Sequence, residues 1–202
     1  MKNYTILVLV LGLLASTSHQ ATIGVRNLLK SPALEFLRVH HFEFIYSDRG
    51  TGSDRDLSIW RPDEYPLEYH SVGDLPVPGY DVPPTTGYVV RELEEGALAK
   101  PVRYDLVWKD NGSGGVFDVK FWWPVPPEGY ICIGDVAVAS YVLDPSTNWI
   151  RCLREDLVGT ANSRLIWNDK GSGADKDVSV WEAVPSEEET FPVETMIAVK
   201  GY

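Results

Sequence analysis

One pattern of residues occurs three times along this chain, at intervals of 62 and then 59 positions. The first copy runs Ile45-Tyr46-Ser47-Asp48-Arg49-Gly50-Thr51-Gly52 and on to Asp56-Leu57-Ser58-Ile59-Trp60. The second runs Val107-Trp108-Lys109-Asp110-Asn111-Gly112-Ser113-Gly114 to Asp118-Val119-Lys120-Phe121-Trp122, and the third Ile166-Trp167-Asn168-Asp169-Lys170-Gly171-Ser172-Gly173 to Asp177-Val178-Ser179-Val180-Trp181. A weaker second half repeats as well: Gly73-Asp74-Leu75-Pro76-Val77 answers Gly134-Asp135-Val136-Ala137-Val138, with Thr195-Met196-Ile197-Ala198-Val199 at the matching place. A unit of about sixty residues accommodates roughly four strands with their turns. One such unit cannot bury its own apolar face, so three units must share a core around a pseudo-three-fold axis. A triangular prism of sheets and a trefoil barrel both meet that demand, and the Trp recurring near the end of a strand favours the prism.

Each copy reads as two strands joined by a glycine loop. Asp56 to Trp60 alternates polar and apolar, as do its counterparts, which is the period of a strand. Leu57, Ile59, Val119, Phe121, Val178 and Val180 are therefore expected inside one shared core. The abundance of Gly, Pro, Trp and Tyr (17, 14, 7 and 10 residues) favours many short strands over long helices, an all-β class. Two segments fall outside this plan. Ser31 and Pro32 are placed as the cap and first residue of a short helix reaching Leu37. The proline-rich stretch from Asp63 to Thr86 reads as a long surface loop.

Lys2 followed by the apolar run Ile6 to Ala15 and the polar Ser16-Thr17-Ser18 has the form of a signal peptide, here residues 1–20, with cleavage between Thr17 and Thr22. The competing reading is a buried strand or an anchor. The rest, 21–202, is expected to be one β domain with repeats of about 42–100, 101–160 and 161–202, exported to an oxidising compartment and extracellular. Cys132 and Cys152 are open to two readings there, a single bridge or two buried thiols. A formal charge of −11 repels phosphate backbones and anionic lipid, which argues against a nucleic-acid binder.

With Pro126-Pro127-Glu128-Gly129-Tyr130-Ile131-Cys132-Ile133-Gly134-Asp135-Val136 in the middle copy, and the aromatic-x-Asp-x-Gly-Ser-Gly loop before each Asp-Val strand, the chain from about Phe42 onward resembles the vacuolar protein sorting 62 group. Related repeats occur in the adaptor-binding region of the large lipid-transfer vacuolar sorting proteins. The resemblance implies no established chemistry, and the export signal sets this chain apart from an intracellular sorting role. A looser likeness is to prism-fold lectins of the jacalin and griffithsin kind, in which a Gly-x-x-x-Asp loop holds a sugar. That spacing appears as Gly52 to Asp56, Gly114 to Asp118 and Gly173 to Asp177.

A carboxylate accepts two sugar hydroxyls, glycine lets backbone N–H groups approach, and an aromatic face covers the apolar side of the ring. Tyr46, Trp108 and Trp167 are expected to supply that face, while Trp60, Trp122 and Trp181 are expected to pack between sheets. Alternatively, Asp56, Asp118 and Asp177 hold their own turns. Asp48 with Asp56, or Asp169 with Asp175 and Asp177, offers the oxygens calcium prefers, so a calcium-assisted site is a second use of the loops; no other cofactor is expected. Asn111-Gly112-Ser113 is an N-glycosylation sequon within the second loop. His40, His41 and His70 show no triad or zinc spacing, and triplication argues for multivalent binding over an active site. The expectation is a secreted, non-enzymatic protein that binds glycans or glycoconjugates through its glycine loops, with a protein-binding or structural module as the alternative.

Overall fold

The computed structural model describes residues 7–8, 23–24, 33–185 and 193–202. Most of the expected signal peptide lies outside the described residues. The strands, in chain order, are β1 (Leu7–Val8), β2 (Ile23–Gly24), β3 (Leu34–Val39), β4 (Phe42–Ser47), β5 (Leu57–Pro62), β6 (Leu75–Pro78), β7 (Gly87–Glu92) and β8 (Leu98–Ala99). They continue as β9 (Arg103–Lys109), β10 (Lys120–Val125), β11 (Tyr130–Ile131), β12 (Val136–Val138), β13 (Cys152–Arg154), β14 (Ala161–Asn168), β15 (Val178–Pro185) and β16 (Met196–Lys200).

Three antiparallel sheets of three strands, β4-β5-β6, β9-β10-β12 and β14-β15-β16, carry the three copies. Their inner faces meet in one core, and Leu57, Ile59, Val119, Phe121, Val178 and Val180 all lie in it with no exposure. The architecture is all-β and prism-like, as the repeat predicts. In every copy the first strand gains one residue on its partner, at Ile45, Val107 and Ile166, where the register jumps. Such a bulge lets two successive side chains point inward, where a flat strand would send one out. Tyr46, Trp108 and Trp167 follow the bulges and enter the core at 0%, 2% and 0% exposure.

The other strands pair as β1-β2, β3-β7 and β8-β13-β11. Beneath the prism the last two sets help enclose a second core built on Leu34, Val72, Val90, Ile133, Leu153 and Leu157. Cys132 and Cys152 form a disulfide in this lower half, across a 20-residue separation. Such a cross-link stabilises mainly by restricting the unfolded chain, by about 3 kcal/mol for a loop of this size.

Two expectations are corrected. Leu34 to Leu37 form part of strand β3, paired with β7, and not a helix. Tertiary pairing of Leu34-Glu35-Phe36-Leu37 outweighs the Ser-Pro start signal. Within Asp63 to Thr86, Leu75–Pro78 is the third strand of the first sheet, not loop. Its Pro76 and Pro78 are tolerated because β6 is an edge strand, where a missing N–H need not break the ladder.

Candidate functional site at the loop end of the prism

The three glycine loops gather at one end of the prism, and each is built the same way. Asp48, Asp110 and Asp169 are buried, and Oδ1 of each accepts the backbone N–H nine residues on, from Leu57 (2.8 Å), Val119 (3.0 Å) and Val178 (2.9 Å). A hydroxyl at Thr51, Ser113 and Ser172 accepts the N–H two residues later. The motif aspartate is thus a turn-holder. Burial pushes the carboxyls of Asp48 and Asp169 above the usual range, and the bonds to Leu57 and Val178 work against that rise.

The loops also hold one another. Asp54 N–H donates to Lys170 O (3.0 Å), Val116 N–H to Arg49 O (2.9 Å) and Asp175 N–H to Asn111 O (2.8 Å), a closed ring of three equivalent bonds. The ring explains one glycine of each loop. A Cβ on Gly171, at φ +88°, would lie 2.9 Å from the Gly52 carbonyl oxygen, and one on Gly112, at φ +87°, 2.9 Å from Asp175 Oδ1. The positive φ disfavours a side chain at both, and at Gly171 the fixed carbonyl closes the space as well.

A second ring closes the inner end of the same core. Asp74 N–H donates to Asp135 O (3.0 Å), Asp135 N–H to Met196 O (2.8 Å) and Met196 N–H to Asp74 O (2.7 Å). Asp74 Oδ2 also accepts Ala137 N–H, and Asp135 Oδ2 accepts Ala198 N–H, both at 2.7 Å. The third such bond is absent for a reason visible on both sides. Met196 stands where the acceptor carboxylate would be, and Pro76, with no N–H, stands where the donor would be.

Of the residues expected at the site, Asp56, Asp118 and Asp177 are exposed at the loop end, each just before the central strand of its sheet, beside the exposed Gly52, Gly114 and Gly173. Tyr46, Trp108 and Trp167 are not with them: the bulges turn these rings into the core, so they cannot cover a ligand. Their polar ends tie adjacent copies together instead. Trp167 Nε1–H faces three acceptors in copy one, Asp48 Oδ2 (2.8 Å), Arg55 O (2.9 Å) and Ser53 Oγ (3.0 Å), and Trp108 donates to Lys176 O in copy three (2.5 Å). Tyr46, the counterpart in copy one, has a buried hydroxyl without a hydrogen-bond partner. Trp60 and Trp181 pack on the outer sheet faces and donate to Ser58 and Ser179 (3.0 Å each). In copy two Lys120 replaces that serine and spreads over the Trp122 ring.

The residues missed by the motif are Tyr80, Tyr141 and Tyr202. They recur at intervals of 61, just beyond the third strand of each copy, and the signal was legible as a spacing even though their neighbours differ. In copies one and three the backbone is clamped to the loop by Gly79 N–H to Asp56 O (3.0 Å) and Gly201 N–H to Asp177 O (2.9 Å). Burial, a hydrogen bond to Asp56 and the charges of Asp48 and Asp56 push the Tyr80 phenol up to about 12. Tyr202 is raised as well, by burial and then by the charges of Asp177, Asp169 and Asp54. In copy two Tyr141 donates to Asp110 Oδ1 (2.6 Å), while the Asp118 charge also acts on its phenol. Arg49 lies over Tyr80 and pairs with Asp81, and Lys109 lies over Tyr141.

The residues expected to hold calcium do not converge. Asp48 and Asp169 face inward to their own turns, while Asp175 Oδ2 accepts Asn111 Nδ2–H across the ring (2.5 Å). Among the described residues no three His, Cys, Asp or Glu side chains gather as a metal would require. The same contact places the Asn111 sequon against copy three.

The fold and its loop end define a β-prism module of three unequal copies. Residues 15–197 match the vacuolar protein sorting-associated protein 62 family, and the chain belongs to it. It is similar to GNIP1Aa from Chromobacterium piscinae, a solved structure with 27% identity and a TM-score of 0.72 that covers 84% of this chain. The chain spans about a third of that protein, 33% of its length. No curated protein matches it. Among the described residues no helix is long and apolar enough to cross a membrane.

Proposed function

We propose that this is an exported, non-enzymatic binding protein that recognises carbohydrate at the loop end of the prism. The observation that carries the reading is the recurrence, three times around one end, of an exposed carboxylate beside a tyrosine: Asp56 with Tyr80, Asp118 near Tyr141, Asp177 with Tyr202. The carboxylate accepts hydroxyl pairs, and the phenol face covers the apolar side of a sugar. The turn-holding role that competes for these aspartates is filled by Asp48, Asp110 and Asp169, which leaves the exposed set free of it. Several weak sites on one rigid body suit multivalent glycans. Copy two contributes least, because Tyr141 is engaged with Asp110.

Glycan-array binding and calorimetry on Asp56→Asn, Asp118→Asn and Asp177→Asn, singly and together, test this. Each of Asp56→Asn and Asp177→Asn is expected to weaken binding by about 1.5–3 kcal/mol per site. Melting should hardly change, and calcium chelation should leave binding as it was. Unchanged glycan binding in the triple variant retires the reading in favour of a protein-binding or structural module. The interlocked loop ring is the feature that favours that alternative.

A further inference from the structure

The three loop sites share a backbone and differ in the charge around them. Each lies where its own third strand meets the first strand of a neighbouring copy, since β6 approaches β14, β12 approaches β4 and β16 approaches β9. The residue just before the exposed aspartate and the residue two before the bulge mark the equivalent positions at each junction. These are Arg55 and Arg164 where copies one and three meet, Phe117 and Glu43 where two and one meet, and Lys176 and Asp105 where three and two meet. Identical positions thus carry two cations, a ring with an anion, and one charge of each sign.

The first groove has a volume of about 540 Å³, with Arg55, Asp56 and Arg164 on its walls and Pro78 and Leu165 among its apolar lining. Among the described residues no carboxylate pairs with Arg55. The Arg164 side chain is 67% exposed and spends Nε and Nη2 on Glu182, which leaves Nη1 toward solvent. The groove at copies two and one, about 720 Å³, presents Glu43, Asp63 and Glu64 with Phe44 and Trp149, and its one cation among the described residues, Arg61, is spent on Asp74. In a chain of net charge −11, Arg55 and Arg164 offset Asp56 and the Glu182 that pairs with Arg164, so this groove is locally neutral with one guanidinium, Arg55, free of any carboxylate partner among the described residues. Planar guanidinium forks suit carboxylate or sulfate oxygens, and Asp56 repels a ligand that is anionic along its whole length.

We propose that the groove between copies one and three binds an acidic saccharide. Asp56 receives its hydroxyls, Pro78 and Leu165 meet its apolar face, and Arg55 and Arg164 hold a carboxylate or sulfate at its far side. This rests on the carbohydrate reading and narrows it to one of the three sites.

The test titrates the full chain, with amide resonances followed by NMR, against a glucuronate-containing disaccharide, the same disaccharide with glucose in that place, and inorganic sulfate. The acidic disaccharide is expected to bind roughly five- to tenfold more tightly than the neutral one, with a preference that fades in salt. It should shift Arg55, Gly79 and Leu165, and inorganic sulfate alone should shift them weakly. Arg55→Gln, which breaks no ion pair, should weaken the preference and preserve the neutral ligand's affinity and the melting temperature; adding Arg164→Gln should abolish the preference, with a fall in melting temperature from loss of the Glu182 pair. Equal affinities, or a preference that survives the double variant, overturn this proposal alone. Sulfate as strong as the acidic disaccharide reduces the groove to a plain anion site and overturns it too. Binding of neither disaccharide at any loop overturns it together with the carbohydrate reading.

Discussion

The loop end and the inner end of the prism core close the same three joints with different side chains. At the loop end the joint of copies three and one is the strongest, through Trp167 and its three acceptors, and the joint of copies one and two is the weakest, with the Tyr46 hydroxyl unpaired. At the inner end the order reverses. Asp74 accepts Ala137 N–H and a bidentate Arg61 (2.8 Å for both bonds), and Arg61 donates onward to Ala137 O, so copies one and two are bound tightly. Copies three and one there have only Met196 and Pro76. What stays constant is the pair of backbone rings. Triplication preserves the main-chain closure, and each joint loses side-chain bonds at one end only where it keeps them at the other.

Glycine substitutions strike the rings directly and should have the largest effect. A Cβ on Gly134 would sit 2.6 Å from Thr195 Cβ and 2.9 Å from Val72 O, inside the protein. Gly134→Ala is expected to cost about 3 kcal/mol in urea unfolding, and Gly171→Ala, at the solvent-facing ring, about 2 kcal/mol. The reverse order would mean that the loop ring is the more rigid.

The inner ring should respond to pH most strongly, through Asp135. Its carboxyl is fully buried, without a cation, and burial followed by the Asp74 charge raises it to about 8, against the amide of Ala198. A carboxyl raised in the folded state adds stability below its unfolded pKa near 4 that is lost as pH rises toward 8. Melting temperature should therefore fall across that window, and Asp135→Asn should flatten the fall. Asp48 and Asp169, also raised, leave a residual slope in the same direction.

Tyr46→Phe should have the smallest effect. Removing a buried hydroxyl that has no partner is expected to leave stability within about 1 kcal/mol of the parent or to raise it slightly. A larger loss in calorimetry would show that the hydroxyl is bonded in solution, and that the weak joint is not weak.

Much of this was readable before any fold was in hand. The intervals of 62 and 59, with the two-residue period of Leu57-Ser58-Ile59, led to three sheets and to the six central core residues. The role of Tyr46, Trp108 and Trp167 was not readable, because a bulge is an insertion relative to a partner strand and leaves no mark in one strand's own alternation. Asp48 was read as a metal ligand because a carboxylate in a glycine loop looks the same whether it faces a cation or the amide of Leu57. Tyr80, Tyr141 and Tyr202 were missed because Gly79, Ser140 and Gly201 before them do not form a continuous motif. Met196 and Pro76 are visible as departures from their repeats, yet only the ring shows them to be the two halves of one missing bond.

The alternation of tight and loose joints has a mechanical consequence. A seam clamped at one end and slack at the other pivots about its clamp. The seam between copies three and one would open from the inner end, and that between one and two from the loops. Copy one thus sits between two seams whose side-chain clamps lie at opposite ends, so the two grooves along its flanks are braced from opposite directions.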